Sequence, residues 1–269
     1  MLMNNLLDVK NLYKYFSIRN GFKNEILRAV HNVSFQINSD QPSILAIAGE
    51  SGSGKSTVAK LILGLEKISS GSIHFKGRDI NQIPKKEKRN LLLREIQPVF
   101  QDPFASFSPL KKIESYLLET YRNFNIGDAD FYDIYINDVL SKVGLTINEV
   151  KSRYPNELSG GQAQRIAVAR ALISKPSLII ADEPVSMLDA SLRISIVNMF
   201  IKLKQENKIS IIYITHDLTT AYYSADNIII MKKGEIVEAG SVDNVLRDPQ
   251  HEYTQNLIAS IPKISDITL

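Results

Sequence analysis

The sequence predicts an α/β protein built on a parallel sheet. Three observations carry this reading. Short continuous apolar runs of strand length recur along the chain, as in Ile44-Leu-Ala-Ile-Ala48 and Leu178-Ile-Ile-Ala181. Such runs suit strands buried on both faces. Helical stretches separate them, and buried strands alternating with helices define a parallel α/β architecture. A Gly/Ser-rich turn directly joins the first of these runs to a helix.

Each element follows in order. Residues 7–12 and 29–37 alternate apolar and polar, the period of a strand with one wet face. Ile44–Ala48 reads as the first buried strand, residues 57–65 as a helix and 71–77 as another short strand. Residues 84–155 read as a mostly helical insertion, with Lys85, Lys86, Lys88, Arg89 and Arg94 forming a solvated basic face. Within it Ile113, Tyr116, Leu117 and Thr120 share one helical face, and Ile134, Asn137, Leu140 and Ser141 share a weaker one. After Ser159 come a helix, a buried strand at 178–181, an amphipathic helix at 190–207 and a strand at 209–214. Residues 227–231 and 235–238 read as a hairpin turning at Lys233-Gly234.

Composition narrows the function. The chain has 269 residues, 44% hydrophobic and 23% charged, with a net charge of +3. That is an ordinary globular balance, too weakly basic to argue for nucleic acid. The absence of cysteine excludes a disulfide scaffold, a cysteine-ligated metal site and a thiol nucleophile. No run reaches the roughly 18–20 apolar residues of a membrane span. The segment 1–8 lacks the basic start and long apolar stretch of a secretory signal.

The chemistry is concentrated in a few places. Gly49-Glu-Ser-Gly-Ser-Gly-Lys-Ser-Thr57 matches G-x-x-x-x-G-K-[ST] between a strand and a helix. Its glycines Gly49, Gly52 and Gly54, with Ser51 and Ser53, let successive N–H groups turn inward on phosphate oxygens, and the helix adds its positive end. Lys55 then reaches the β- and γ-phosphates, and Ser56 offers a hydroxyl to Mg²⁺, with Thr57 following. Asp182 and Glu183 end the run Leu178-Ile-Ile-Ala. Two carboxylates there need a cation or a proton role: Asp182 for Mg²⁺, Glu183 to polarise an attacking water. Leu158-Ser-Gly-Gly-Gln162 opens another helix, where Ser159, Gly160, Gly161 and Gln162 form a second anion-binding device or an ordinary cap. Two such devices serve one nucleotide only if two chains face each other.

Together these motifs resemble an ATP-binding cassette (ABC) ATPase, over residues 8–240. Residues 49–57 match its Walker A motif, 178–183 its Walker B motif with the catalytic glutamate, and 158–162 its signature. Gln101 matches the Q-loop glutamine, Ser186-Met-Leu-Asp189 the D-loop, and His216 the switch histidine. The resemblance implies a P-loop NTPase (RecA-like) core, an antiparallel β subdomain and an inserted helical subdomain bearing the signature. It implies core and β subdomain at about 1–100 and 164–245, helical subdomain at about 101–163 and a tail at about 246–269. ATP and Mg²⁺ are the implied ligands, the metal held by Ser56, Gln101 and Asp182. Lys55, Gln101, Glu183 and His216 carry the implied chemistry, and Asp189 joins the nucleotide site. An aromatic ring upstream of Walker A stacks on adenine; Phe16 is favoured, with Tyr15 its competitor.

A narrower resemblance is to the oligopeptide/dipeptide/nickel branch of ABC importers. It rests on Gln101-Asp-Pro-Phe-Ala-Ser-Phe-Ser-Pro109, Tyr154-Pro-Asn-Glu-Leu-Ser159 and Asp248-Pro-Gln-His-Glu-Tyr-Thr254. The chain departs from many members in having no cysteine cluster near its end. The resemblance implies a peripheral ATPase on the cytoplasmic face of the cell membrane. Its implied partners are transmembrane permease subunits, a second ATPase completing a nucleotide sandwich and, indirectly, an extracytoplasmic substrate-binding protein; none is a nucleic acid. A heterodimer is the commoner arrangement in the branch. The stretch 102–110 is expected to help form the groove for a permease helix, with Phe104 and Phe107 either exposed at that contact or part of the core. A nucleic-acid ATPase is disfavoured by the single cassette, and another P-loop NTPase by the signature run.

Overall fold

The computed structural model describes residues 5–20 and 23–260. Residues 1–4 of the segment read for a secretory signal, and 261–269 of the expected tail, lie outside them, as do the side chains of Lys85 and Arg89 from the basic cluster. In chain order the strands and helices are β1 (Asn5–Asn20), β2 (Lys23–Asn38), β3 (Ile44–Ala48), α1 (Lys55–Ile62), β4 (Ser70–Phe75), β5 (Arg78–Asp79), α2 (Lys85–Glu95), β6 (Ile96–Val99), α3 (Ile113–Asn123), α4 (Tyr132–Lys142), α5 (Ile147–Val150), α6 (Gly160–Leu172), β7 (Leu178–Asp182), α7 (Ala190–Asn207), β8 (Ser210–Thr215), α8 (Leu218–Ser224), β9 (Asn227–Lys232), β10 (Glu235–Ser241), α9 (Val242–Arg247) and α10 (Glu252–Ala259). Two compact units arise: 1–88 with 212–269, and 89–211.

The first unit holds an antiparallel sheet in the order β2-β1-β4-β5 and strands ordered β10-β9-β3-β8. Every residue of β3 is buried, as its unbroken apolar run requires. It pairs in parallel with β9, Leu45 opposite Asn227 and Ala48 opposite Ile230. Parallel neighbours need a crossover, which is why the strands alternate with helices. The β1–β2 hairpin is longer than the alternation at 7–12 and 29–37 predicts. Pairing runs from Asn5 opposite Asn38, through four register shifts, to Asn20 opposite Lys23. Towards the tip Ile26 and Leu27 are exposed, so no buried face imposes a period of two there.

The second unit is mostly helical, but with one strand that the sequence reading placed inside a helical stretch. Residues 96–99 form β6, which pairs in parallel with β7, Ile96 opposite Leu178 and Val99 opposite Ala181. Ile96 and Val99 are buried while the intervening Gln97 and Pro98 are only partly covered. A strand at the end of its ladder tolerates Pro98, which has no N–H to give. The face of α3 follows expectation in Ile113 and Leu117, both buried. That of α4 follows it only in Leu140: Ile136 and Val139 turn inward beside it, while Ile134 is 72% exposed. The expected set mixed two polar residues into a face that burial selects by apolar area alone. Helix α7 begins at Ala190 and ends at Asn207 as read, and Lys208 closes it in a left-handed conformation.

The two phenylalanines of the stretch 102–110 divide between the expected alternatives. Phe104 is 39% exposed, but Phe107 is only 5% exposed and meets Tyr116 edge-on at 5.2 Å. Phe107 is thus a core residue of the second unit and not part of a permease contact. The turn at Asp102, whose carboxylate accepts the amides of Phe104 and Ala105 at 2.9 and 3.2 Å, sends the two rings different ways. Phe107→Ala is therefore expected to cost about 3–5 kcal/mol of stability. Phe104→Ala should stay within about 0.5 kcal/mol. Denaturant titration of both variants separates them; equal midpoints would refute the burial assignment.

Candidate nucleotide-binding site

The loop after β3 is held in a shape that only glycine permits at two points. Gly49 has φ 146°, and a Cβ there would lie 2.2 Å from the Met231 carbonyl oxygen of β9. Gly54 has φ 104°, and its Cβ would lie 2.4 Å from the Ala29 oxygen of β2. The loop is tied down between them by Gly234, whose N–H donates to the Ser53 carbonyl at 2.9 Å, while His31 N–H donates to the Gly234 carbonyl at 2.8 Å. Gly54 is the N-cap of α1 and supplies no side-chain cap. The first-turn N–H groups of α1 therefore meet no capping side chain, the arrangement that receives an anion.

Lys55 is 5% exposed. Its ammonium donates to the carbonyls of Gly49 at 2.7 Å and Glu50 at 2.8 Å, and reaches Ser53 Oγ at 3.4 Å. The cation thus sits inside the curl of the loop. Ser51 and Gly52 are exposed, Ser53 is buried, and Ser56 and Thr57 are half-buried on α1. His216 is exposed directly after the fully buried β8. Asp217 behind it caps α8, accepting from Thr219 N–H at 2.9 Å, so the histidine rides on a braced strand-to-helix turn.

Phe16 is half-buried on β1, with the Lys14 ammonium 4.5 Å from its ring centroid. Lys14 is held there by Glu66 at 3.0 Å and the Lys67 carbonyl at 2.9 Å. Tyr15 points elsewhere: its hydroxyl lies 3.3 Å from His31 Nδ1 and the two rings are 6.4 Å apart. Lys14 was not singled out in the sequence, where it is one lysine among aromatics.

In the second unit Gln101 and Asp182 face one open cleft of about 510 Å³, lined also by Phe100, Asp102 and Arg170. Asp182 ends β7, half-buried after four buried residues. Glu183 follows with φ 48°, a left-handed conformation uncommon for a side chain of its size. Its carbonyl accepts from Ser186 N–H at 3.3 Å and Ser186 Oγ at 3.0 Å, which holds the turn. Arg170, from α6, escaped the sequence reading because a helical arginine alone carries no signal. Its Nε donates to Thr120 Oγ1 at 3.3 Å.

Residues 159–162 form a capping box. Ser159 Oγ accepts Gln162 N–H at 3.2 Å, and Gln162 Oε1 accepts Ser159 N–H at 3.1 Å. The ordinary-cap reading is therefore met in full, and the Gln162 carboxamide is engaged within its own turn. A Cβ on Gly160 would come within 3.2 Å of Leu188, and one on Gly161 within 3.3 Å of Leu192. The helix start is thus close against the turn that carries Asp189, which is exposed and N-caps α7 through its backbone.

Comparison with known proteins places the chain in one family. Residues 30–186 match the family model described as ABC transporter. The chain is 40% identical over 99% of its length, and 83% of the relative's, to the oligopeptide transport ATP-binding protein OppF of Lactococcus lactis subsp. lactis. It is 38% identical to the oligopeptide transport ATP-binding protein AppF of Bacillus subtilis, over 96% of this chain and 78% of that one. A dimeric structure of the ATP-binding cassette MJ0796 bound to ADP and Pi superposes with TM-score 0.75 at 28% identity, covering 88% of this chain and 98% of that one. The structure of cbiO1 from Clostridium perfringens, part of the ABC transporter complex cbiONQ, gives TM-score 0.77 at 27% identity, covering 91% and 92%.

The chain belongs to the ABC transporter family. It is an ATP-binding ATPase subunit on the α/β P-loop fold read from its motifs, and its similarity lies with the oligopeptide branch.

Proposed function

We propose that this chain hydrolyses ATP to drive import of peptides through membrane subunits carried on other chains. The observation that supports this best is the loop 49–57, where Gly49 and Gly54 leave no room for a side chain and the Lys55 ammonium is folded inside. Such a cradle suits a polyphosphate. Its backbone N–H groups bind phosphate oxygens, and Lys55 stabilises charge on the transferring phosphoryl group. The adenine stacks on the Phe16 face opposite Lys14, so one face of the ring carries a cation and the other a base.

Ser56, Gln101 and Asp182 offer a hydroxyl, an amide oxygen and a carboxylate, the hard oxygen donors that suit Mg²⁺. A cation held by these three residues would supply charge neutralisation to the phosphates. Glu183 polarises the attacking water, and His216 and Gln101 contact the γ-phosphate side. The chemical step follows as in-line attack of that water on the γ-phosphorus: the bond to the β–γ bridging oxygen breaks, ADP leaves with that oxygen, inorganic phosphate forms, and the water proton is drawn towards Glu183.

The signature residues Ser159, Gly160, Gly161 and Gln162, with Asp189, act on ATP held by a second ATPase subunit, so two chains sandwich two nucleotides. The core and β subdomain span about 1–100 and 164–245, the helical subdomain about 101–163, and the tail starts near 246. Among the described residues no helix is long and apolar enough to cross a membrane. Attachment to the cytoplasmic side comes from permease subunits, which the exposed Phe104 and the turn 102–110 contact. A substrate-binding protein delivers the cargo.

Reconstitution tests this reading. The chain, its companion ATPase, the permeases and the binding protein are assembled in lipid vesicles. ATP-driven uptake of short peptides is expected, with hydrolysis accelerated by peptide. Acceleration by a nickel complex and not by peptide would reassign the cargo.

A further inference from the structure

The segment Asp248-Pro-Gln-His-Glu-Tyr-Thr254 supports the sub-family resemblance but has no part in the chemistry above. In the structure it is fastened to the first unit at several points. Glu238 of β10 accepts the backbone N–H groups of Gln250 at 2.8 Å and His251 at 3.2 Å. Burial pushes the Glu238 carboxyl up, but the backbone N–H groups of Gln250 and His251 that donate to it pull the other way, and the group is held below the ordinary range. It is therefore ionised at neutral pH. His251 is the N-cap of α10, and its Nδ1 accepts Tyr253 N–H at 3.0 Å. Lys232 of β9 places its ammonium 4.5 Å from the Tyr253 ring centroid.

These contacts aim one side chain. Tyr253 is 6% exposed, and its hydroxyl accepts the Glu50 N–H at 3.1 Å. Glu50 is the second residue of the phosphate-binding loop. Its N–H belongs to the same peptide plane as the Gly49 carbonyl, which receives the Lys55 ammonium at 2.7 Å. One peptide is thus gripped on both sides, by the phenol on its N–H and by Lys55 on its oxygen. Gly49 offers that plane little rotational restraint of its own, because glycine has no Cβ.

We propose that Tyr253 is a positioning residue of the nucleotide site: its hydroxyl fixes the Gly49–Glu50 peptide, so that docking of α10 preorganises the phosphate-binding loop before ATP arrives. This rests on the assignment of residues 49–57 to ATP. Ordering a loop in advance removes part of the cost of binding. Loss of the hydroxyl therefore acts on affinity and leaves the chemical step alone, since Tyr253 touches neither metal, water nor γ-phosphate in this scheme.

The test is Tyr253→Phe in the full chain, which keeps the ring beside Lys232 and removes one oxygen. Its control is Tyr135→Phe, which deletes a comparable hydrogen bond, from Tyr135 to the Ile173 carbonyl at 2.8 Å, within the second unit. A fluorescent ATP analogue is titrated into each, and kcat is measured in the assembled transporter. Tyr253→Phe is expected to raise Kd about five- to tenfold. Its kcat should stay within about twofold of wild type, and Tyr135→Phe should bind as wild type does. Unchanged affinity in Tyr253→Phe, or an equal loss in Tyr135→Phe, would overturn the proposal. Hydrogen exchange in the unsubstituted chain gives an independent reading: the Glu50 amide should be protected without nucleotide, and fast exchange there would also overturn it. Lys55→Ala separates the two levels. If that variant bound and hydrolysed ATP normally, the nucleotide assignment would fall and this proposal with it; if Lys55→Ala is impaired while Tyr253→Phe is silent, only the role of Tyr253 falls.

Discussion

Glu183→Gln is expected to leave ATP bound and to slow its hydrolysis by roughly 10²–10⁴-fold, the usual contribution of a positioned base. The substitution keeps shape and a hydrogen-bonding group while removing the negative charge. It also keeps the backbone possible. Glu183 has φ 48°, and its turn is held by Ser186 through backbone and hydroxyl contacts to the Glu183 carbonyl, which Gln leaves intact. A β-branched replacement would add strain at that φ and confuse folding with chemistry. On the proposed mechanism hydrolysis opens the sandwich, so the variant should accumulate as an ATP-bound dimer. Size-exclusion chromatography with and without ATP, alone and with the companion ATPase, shows which pairing forms. A variant that hydrolysed ATP at the wild-type rate would remove Glu183 from the chemistry.

Lys55→Ala is expected to reduce hydrolysis by at least 10²–10³-fold, the range seen when one preorganised electrostatic contact to a developing charge is lost. Here affinity falls as well, because the same ammonium organises the loop. It bonds to the carbonyls of Gly49 and Glu50, and its removal from a buried position leaves those groups to find other partners. The expected pattern is therefore a fall in kcat together with a rise in KM, in contrast to the selective kcat effect of Glu183→Gln. Turnover in the assembled transporter within about tenfold of wild type would defeat the assignment of the loop.

The resemblance in the sequence reached far because much of the site is written in contiguous residues. A loop of nine residues after a buried strand carries its own glycines, lysine and hydroxyl. Asp182 and Glu183 stand out through the contrast with four apolar neighbours. The capping box at Ser159 and Gln162 spans three residues and needs no distant partner. Helix α7 was legible over 190–207, since helical spacing is a local pattern. The other features were illegible for a physical reason. Strand β6 is four residues long with a proline inside, and only pairing with β7 makes it a strand.

What the sequence by itself determined is therefore the class of protein, the order of its motifs and the local geometry of each. Tertiary structure alone decided which of two nearby phenylalanines is core, since Phe104 and Phe107 differ in what their turn points them towards and not in kind. It alone placed Lys14 over Phe16 through Glu66, and Tyr253 on the amide of Glu50 across 203 positions of chain. Periodicity and turn chemistry act over a few residues and leave a pattern in the sequence. A contact between distant residues leaves none, because it exists only once burial has brought the two segments together and each polar group has had to find a partner.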